Sequence, residues 1–396
     1  METHPLGRLL NILDYAISSL RRKLLKNLLV FVVFTAVVFL FSSLLLTKSA
    51  LTEMAGQLLA AAPDITVQQL SAGRQVNLAT ASGQLLLGIP GIATTQPRIW
   101  GYYFDEKNGA NYTVIGLPQG KAEERSTLGR TLAEGRLPQP EEQGKVVLSA
   151  TVRQQLGLGE RRFFSLFRPD LKLLSFEVIG TLADSSAPLV ADTILMNEAD
   201  ARALFDIAQG QVTDLLISVA NPLEIETIAM KISERLPGVR VITKNRIEKT
   251  YRAVFGWRSG FAAGCLLLTL SAFVILSWDK ASGLSGEELR EVGILKILGW
   301  QTGDILLLRF YEALLIALFS FLCGWLLAWI HVATFQAALF RPIMLGWSVL
   351  RPSFALLPPL AATDLLLVFS VSVLPYLAAT AVPAWRAATV PAHSVL

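Results

Sequence analysis

This chain has little of what enzymes are built from. Two cysteines occur in 396 residues, Cys265 and Cys323, and both sit in apolar runs. The polar half has none, which excludes a disulfide framework whichever compartment that half occupies. The three histidines, His4, His331 and His393, are too scattered for a metal site on the usual Cys/His spacings. A phosphate-binding loop needs G-x-x-x-x-G-K-[ST]. The nearest stretch, Gly116 to Ala122 (G-L-P-Q-G-K-A), is one residue short and ends in Ala. H-E-x-x-H and G-x-S-x-G are both missing. No basic stretch interleaved with aromatics offers a base-stacking platform, so the net charge of +4 does not point to nucleic acid. The expectation is a non-catalytic chain that binds no cofactor or metal. Any ATP and Mg²⁺ must be held by another protein.

Long apolar runs are what the chain does have. Mean hydropathy is +0.49, with the apolar residues gathered near the N-terminus and after about residue 257. Leu28 to Leu46 carries no charge and is long enough to cross roughly 30 Å of hydrocarbon. Gly260–Trp278, about Ile305–Ala333 and about Ala362–Ala384 follow, the last softened by Pro375 and expected to end near Pro383. Four spans put both termini on one side. Arg8, Arg21, Arg22, Lys23 and Lys26 before the first span mark that side as cytoplasmic, and Lys280, Arg290, Lys296 and Arg386 agree. Lys244, Arg246, Lys249, Arg252 and Arg258 oppose this assignment, but long domains translocate largely regardless of charge.

The expected layout is a cytoplasmic amphipathic helix at 1–27, spans at 28–47, 257–278, 305–333 and 362–384, and an extracytoplasmic domain at 48–256. A cytoplasmic loop at 279–304, a short outer loop at 334–361 and a tail at 385–396 complete it. Leu6, Leu9, Leu10, Leu13, Ile17, Leu20 and Leu24 recur at three- and four-residue steps, the pattern of a helix lying along a membrane surface.

Between the second and third spans the chain turns polar. Glu287 to Glu312 reads as a charged, partly amphipathic helix. It cannot enter lipid, where each charge costs about 2.5–3.5 kcal/mol at mid-bilayer. It must lie at the water interface, where a soluble partner can push on it. Arg309 and Glu312, one turn apart near the inner end of the third span, are placed to pair there. Gly256, Gly260 and Gly264 share one helix face and permit close packing of a second helix, including one from another copy of the chain.

The outer region reads as mixed α/β. Asp64 to Leu70 alternates like a strand, and Val114–Leu117, Lys145–Leu148 and Phe176–Gly180 are short β-branched runs. Asp214–Val219, a helix over Leu223–Leu236 and Val239–Thr243 form a strand–helix–strand unit. A similar unit starts at Asp64 and closes near Ile89-Pro90-Gly91. Two related halves separated by an insertion at about 108–208 are expected.

R-E-V-G-I-L-K-I-L-G (Arg290 to Gly299), Asp304-Ile305 and Glu312-Ala313 resemble the MacB/FtsX-like permeases, the membrane subunits of mechanotransmitting ABC transporters, including the DevC and LolC groups. So do the ending P-A-W-R-A-A-T-V-P-A-H-S-V-L (Pro383 to Leu396), E-G-R-L-P (Glu134 to Pro138) and V-V-L-S-A-T-V-R-Q-Q-L-G-L (Val146 to Leu158). The resemblance implies an α-helical membrane protein with four transmembrane helices and a mixed α/β extracytoplasmic domain with porter-like split βαβ halves and an inserted subdomain. It also implies a bacterial inner-membrane homodimer bound to two copies of a cytoplasmic ABC ATPase. The ATPase-coupling residues would be Glu287, Glu288, Arg290, Glu291, Gly293, Lys296, Gly299 and Asp304. One departure concerns span four, where the family often has small residues and this chain has Tyr376 and Thr380. Tripartite export through a periplasmic adaptor and an outer-membrane channel is the first expectation. Lipoprotein release and regulation of a cell-wall hydrolase are the alternatives.

Overall fold

The computed structural model describes residues 5–60, 62–118, 132–183, 191–255, 263–264, 267, 269–275, 286–342 and 356–389. In chain order it begins with α1 (Pro5–Arg22), α2 (Leu24–Ala60), β1 (Ile65–Ser71), β2 (Arg74–Val76), β3 (Leu78–Ala79), α3 (Ala81–Leu87) and β4 (Ile92–Arg98). Next come β5 (Trp100–Asp105), β6 (Ala110–Leu117), β7 (Leu132–Gly135), β8 (Lys145–Ser149), α4 (Ala150–Gln155), β9 (Phe163–Phe167), β10 (Leu173–Leu182) and β11 (Thr193–Asn197). The chain continues through α5 (Glu198–Leu204), β12 (Gln211–Val212), β13 (Asp214–Val219), α6 (Ile225–Arg235), β14 (Val239–Thr243) and α7 (Lys244–Phe255). The described elements end with α8 (Gly286–Ile297), α9 (Thr302–Ala333) and α10 (Ala362–Thr389). Two compact units result. One contains residues 1–53, 253–340 and 356–396, the other 54–252 and 341–355.

The α/β unit holds two main sheets. The first runs β14-β1-β13-β4, with β2 added beside β1. Both β13 and β14 are antiparallel to β1, so they run parallel to each other with β1 between them. Likewise β1 and β4 are both antiparallel to β13. Each parallel pair is joined by a helix, α3 in one and α6 in the other, so two strand–helix–strand units interleave. The period-2 pattern explains the packing: Ile65 and Val67 on β1, and Leu215 and Ile217 on β13, are fully buried. They meet Leu86 of α3 and Ile225, Ile228 and Ile232 of α6 in one core.

The second sheet runs β5-β6-β11-β8-β10-β7, with β9 paired to β10. It is mixed, since β6–β11 and β8–β10 are parallel and the other pairs antiparallel. Its central strand β11 is buried along its whole length, as a strand covered on both faces must be. Gly135 carries a real constraint here. Its φ is +82°, and a Cβ would stand 2.1 Å from the Ile179 carbonyl oxygen. Next to it Arg136 donates to both Glu142 carboxylate oxygens at 2.6 Å. E-G-R-L-P therefore builds the close β7–β10 crossing. A polar stem marks where the chain leaves the first sheet and returns. Asp214, with no side-chain exposure, accepts from Arg98 Nε at 2.9 Å, Arg98 Nη2 at 2.7 Å and Trp100 Nε1 at 2.7 Å. Thr213 Oγ1 donates to the Trp100 carbonyl at 2.8 Å and accepts from its amide at 3.1 Å.

Among the described residues, three helices are apolar and long enough to cross a membrane: Leu24–Gly56, Thr302–Ala333 and Ala362–Arg386, with mean hydropathies of 2.8, 2.3 and 2.2. At about 1.5 Å per residue each exceeds a hydrocarbon core of about 30 Å. Residues 263–264, 267 and 269–275 are also helical; the rest of Gly260–Trp278, with Gly256 and Gly260, lies outside the described residues. Phe34 of α2 packs edge-on against Phe273 and Tyr376, each at 5.1 Å between ring centroids. Tyr376 is buried there, while Thr380 bonds back to its own helix at Leu377. Gly324 lets α9 approach α2, since a Cβ there would lie 2.7 Å from Val38 Cγ1 and 2.9 Å from the Thr35 carbonyl. Several polar side chains in these helices pair with a neighbouring helix, as apolar surroundings favour. Ser43 bonds His331, Ser320 donates to the Phe31 carbonyl, and Ser49 donates to Asp364 at 2.7 Å.

Two expectations about helix ends are corrected. α10 does not stop near Pro383 but runs through both Pro375 and Pro383 to Thr389. Packing of the final turn, with Ala384 and Ala388 buried, outweighs the lost backbone bonds. Glu287 to Glu312 is not one helix. α8 ends where Gly299, at φ +92°, donates to the Lys296 carbonyl and Trp300 donates to that of Leu295. That is a glycine-terminated Schellman end. α9 then starts from a reciprocal capping box between Gln301 and Asp304.

Candidate functional site

The break at Gly299 folds α8 back onto the first turns of α9. Val292 and Leu295 face inward, 2% and 3% exposed. Val292 packs with Ile305 and with Ala388 of α10. Leu295 packs with Leu308 and with Ile12 and Ala16 of α1. The opposite side carries Arg290, Ile294, Ile297 and Leu298, all exposed and spaced along one helical face. Isoleucine and leucine exposed over two turns of a short polar helix form a small apolar patch beside a cation.

Charge locks the inward side. Glu291, with 16% of its side chain exposed, accepts from Lys23 Nζ at 2.6 Å and Arg22 Nη2 at 3.1 Å. It also stands 3.6 Å from Arg309 Nη2, which is 10% exposed. Arg309 Nη1 donates to Glu312 at 2.7 Å. Burial pushes the Glu291 carboxyl up, but the Lys23 bond and the charges of Lys23, Arg309 and Arg22 outweigh it, and the pKa lies below the ordinary value. At the far end of α1, Arg8 donates to Asp304 at 2.7 Å and Gln301 at 3.3 Å. Between these points Tyr15 meets Trp300 at 5.2 Å, and the Arg22 guanidinium lies 5.0 Å over the Tyr15 ring. The arrangement ties α1, the start of α2, α8 and the start of α9 into one junction. Among the described residues it holds no nucleophile–base pair, and no group of three or more His, Cys, Asp or Glu is placed to hold a metal.

The residues expected to couple to a partner therefore divide. Arg290 and Gly299 are exposed and Lys296 is half-buried. Glu291 and Asp304 are engaged in internal ion pairs, and Gly293 is buried. The side chains of Glu287 and Glu288 lie outside the described residues, although their backbone is in α8. Gly264 faces open space within the single chain. Arg8, Arg22 and Lys23 read in sequence only as topology signals, and their partners lie some 270 to 300 residues away along the chain. The Gln301-x-x-Asp304 spacing after Gly299 is the one local sign that could have located the break.

Residues 28–235, more than half of the chain, match the family described as MacB-like periplasmic core domain. Among solved structures, the periplasmic region of MacB from Actinobacillus actinomycetemcomitans is 13% identical with a TM-score of 0.33, covering 47% of this chain and 91% of that one. The extracellular domain of the noncanonic ABC-type transporter YknZ from Gram-positive bacteria is 10% identical with a TM-score of 0.32, covering 45% of this chain and 99% of that one. No curated protein sequence matches. The chain belongs to the MacB/FtsX-like family of ABC transporter permeases, and its α/β unit is the family's periplasmic-type domain.

Proposed function

We propose that this chain is the transmembrane permease subunit through which a separate cytoplasmic ABC ATPase drives the outer domain. The observation that carries this is the two-sided character of α8. Its outer face offers Arg290, Ile294, Ile297 and Leu298, while its inner face is fixed through Glu291 to the end of α1, to Lys23 just before α2, and to α9. A displacement of α8 would be passed to two of the apolar helices at their inner ends. In this reading the segment at 257–278 is the second of four spans, both termini are cytoplasmic, and two copies of the chain bind two ATPases. The interleaved strand–helix–strand units are the porter-like halves, and residues 108–208 are the insertion. Work done outside the inner membrane, such as export through an adaptor and an outer-membrane channel, is the use this layout suits.

The test is recovery of the co-expressed ATPase with the detergent-solubilised chain. Ile294→Asp with Leu298→Asp should abolish it without changing the circular dichroism of the chain. Undiminished recovery would remove α8 as the docking element.

A further inference from the structure

The first helix has two apolar edges, and among the described residues one is packed and the other is exposed. Ile12 and Ala16 are 4% and 0% exposed and pack against α8 and α9. Leu9, Leu10 and Ile17 are 43%, 57% and 38% exposed. At 100° per residue this second stripe lies roughly 110° around the helix from the first. It does not stop where α1 ends. Leu24, Leu25, Leu28 and Leu29, at 63%, 83%, 49% and 66% exposure, carry the apolar surface onto α2. That helix is the most apolar of the three candidate spans, so its uncovered side faces lipid. The stripe on α1 continues that lipid-facing surface at its inner end.

Cations stand at the same corner. Arg21 is exposed, and Lys26, one turn into α2, is exposed as well. Arg22 keeps 53% of its side chain exposed despite its bond to Glu291, and a guanidinium has five N–H groups to share. The acid nearest on α1 is Asp14, two turns before Arg21. Apolar side chains flanked by arginines at the depth where a span emerges are complementary to a phospholipid with a negative headgroup.

We propose that the α1–α2 corner is a binding site for anionic phospholipid, with Arg21 and Arg22 on the headgroup and Leu25 beside its acyl chains. The occupant is the lipid of the bilayer in which the chain resides, not free phosphate or a soluble protein.

The experiment uses the full chain in nanodiscs, with Cys265 and Cys323 replaced by Ser and a fluorophore on Leu25→Cys. Quenching by brominated phosphatidylglycerol is compared with quenching by brominated phosphatidylcholine. An anionic surface favours each nearby cation by about fivefold, so phosphatidylglycerol should quench at several-fold lower mole fraction. Arg21→Gln, which leaves the Glu291 pairs intact, should reduce that preference by about fivefold. Added inorganic phosphate should not relieve it at matched ionic strength. Equal quenching by the two lipids, an unchanged preference in Arg21→Gln, or relief by phosphate overturns the proposal. Access of the label to aqueous iodide but not to either lipid would also overturn it. No ATPase is present, so the outcome is independent of docking at α8.

Discussion

Replacing Glu291 by Gln preserves size and removes one negative charge from a group of three cations. Arg309 keeps Glu312 at 2.7 Å, but Lys23 and Arg22 lose the anion between them, and the one amide oxygen left replaces only one of the two carboxylate acceptors. Exposed ion pairs contribute at most about 1 kcal/mol, and breaking a buried one costs about 3–5 kcal/mol. Glu291 and Lys23, at 16% and 26% exposure, fall between these limits, whereas Arg22 at 53% belongs near the lower one. The expected cost is about 2 kcal/mol. A double-mutant cycle with Lys23→Gln, read by denaturant unfolding in detergent, should return a coupling energy of about 1 kcal/mol or more. The charge swap Glu291→Lys with Lys23→Glu should recover part of the loss. pH adds a second signature. The folded pKa is depressed, so the stabilisation is present above the unfolded carboxylate pKa of about 4.3 and fades as pH falls through the folded value. The wild-type advantage over Glu291→Gln should therefore shrink below about pH 4.3. A cost under about 0.5 kcal/mol with no coupling to Lys23 would refute the junction as a mechanical link.

Three further outcomes concern the α/β unit. Asp214→Ala strips a fully buried carboxylate from Arg98 and Trp100; it should cost about 3–5 kcal/mol and lower the thermal midpoint of the full chain. Gly135→Ala sets a methyl against the Ile179 carbonyl at a left-handed φ; it should cost about 3 kcal/mol in the same melt. Glu142, held down to about 2 by its bonds from Arg136 and the Gln139 amide, contributes stability at neutral pH that is lost as pH falls from about 4.3 toward that value. An Arg136→Gln variant should show a weaker decline over that window, measured by midpoint against pH.

Much of the α/β unit is legible from local pattern. The alternation at Asp64 to Leu70 lies in β1, and the runs at 114–117, 145–148 and 176–180 lie in β6, β8 and β10. Pro222 and the Pro237-Gly238 stop bracket α6 because proline and glycine act on the backbone where they stand. Strand order is not local and could not be read, since β1 lies between β13 and β14 only through pairings about 150 to 180 residues distant. The site divides in the same way. Arg309 and Glu312 are visible as an i, i+3 pair, whereas the bonds of Glu291 to Arg22 and Lys23 leave no periodic trace. The apolar spacing persists across Gly299, so the charged stretch reads as one continuous helix in sequence. The α1 stripe is visible as amphipathicity, but spacing alone does not show that Ile12 and Ala16 serve the protein while Leu10 and Ile17 stay outside.

In the proposed function, α8 receives the stroke of a soluble ATPase and passes it on through Glu291. The direct measurement is a pair of spin labels on Arg290→Cys and Ser18→Cys in the reconstituted complex, in a background lacking Cys265 and Cys323, with distances recorded before and after ATP binding. In the wild-type background α8 and α1 should keep one narrow separation in both states, because the junction moves as a body, and Glu291→Gln should broaden it when ATP binds. A separation that changes with ATP in the wild-type background, or one indifferent to Glu291→Gln, would contradict it.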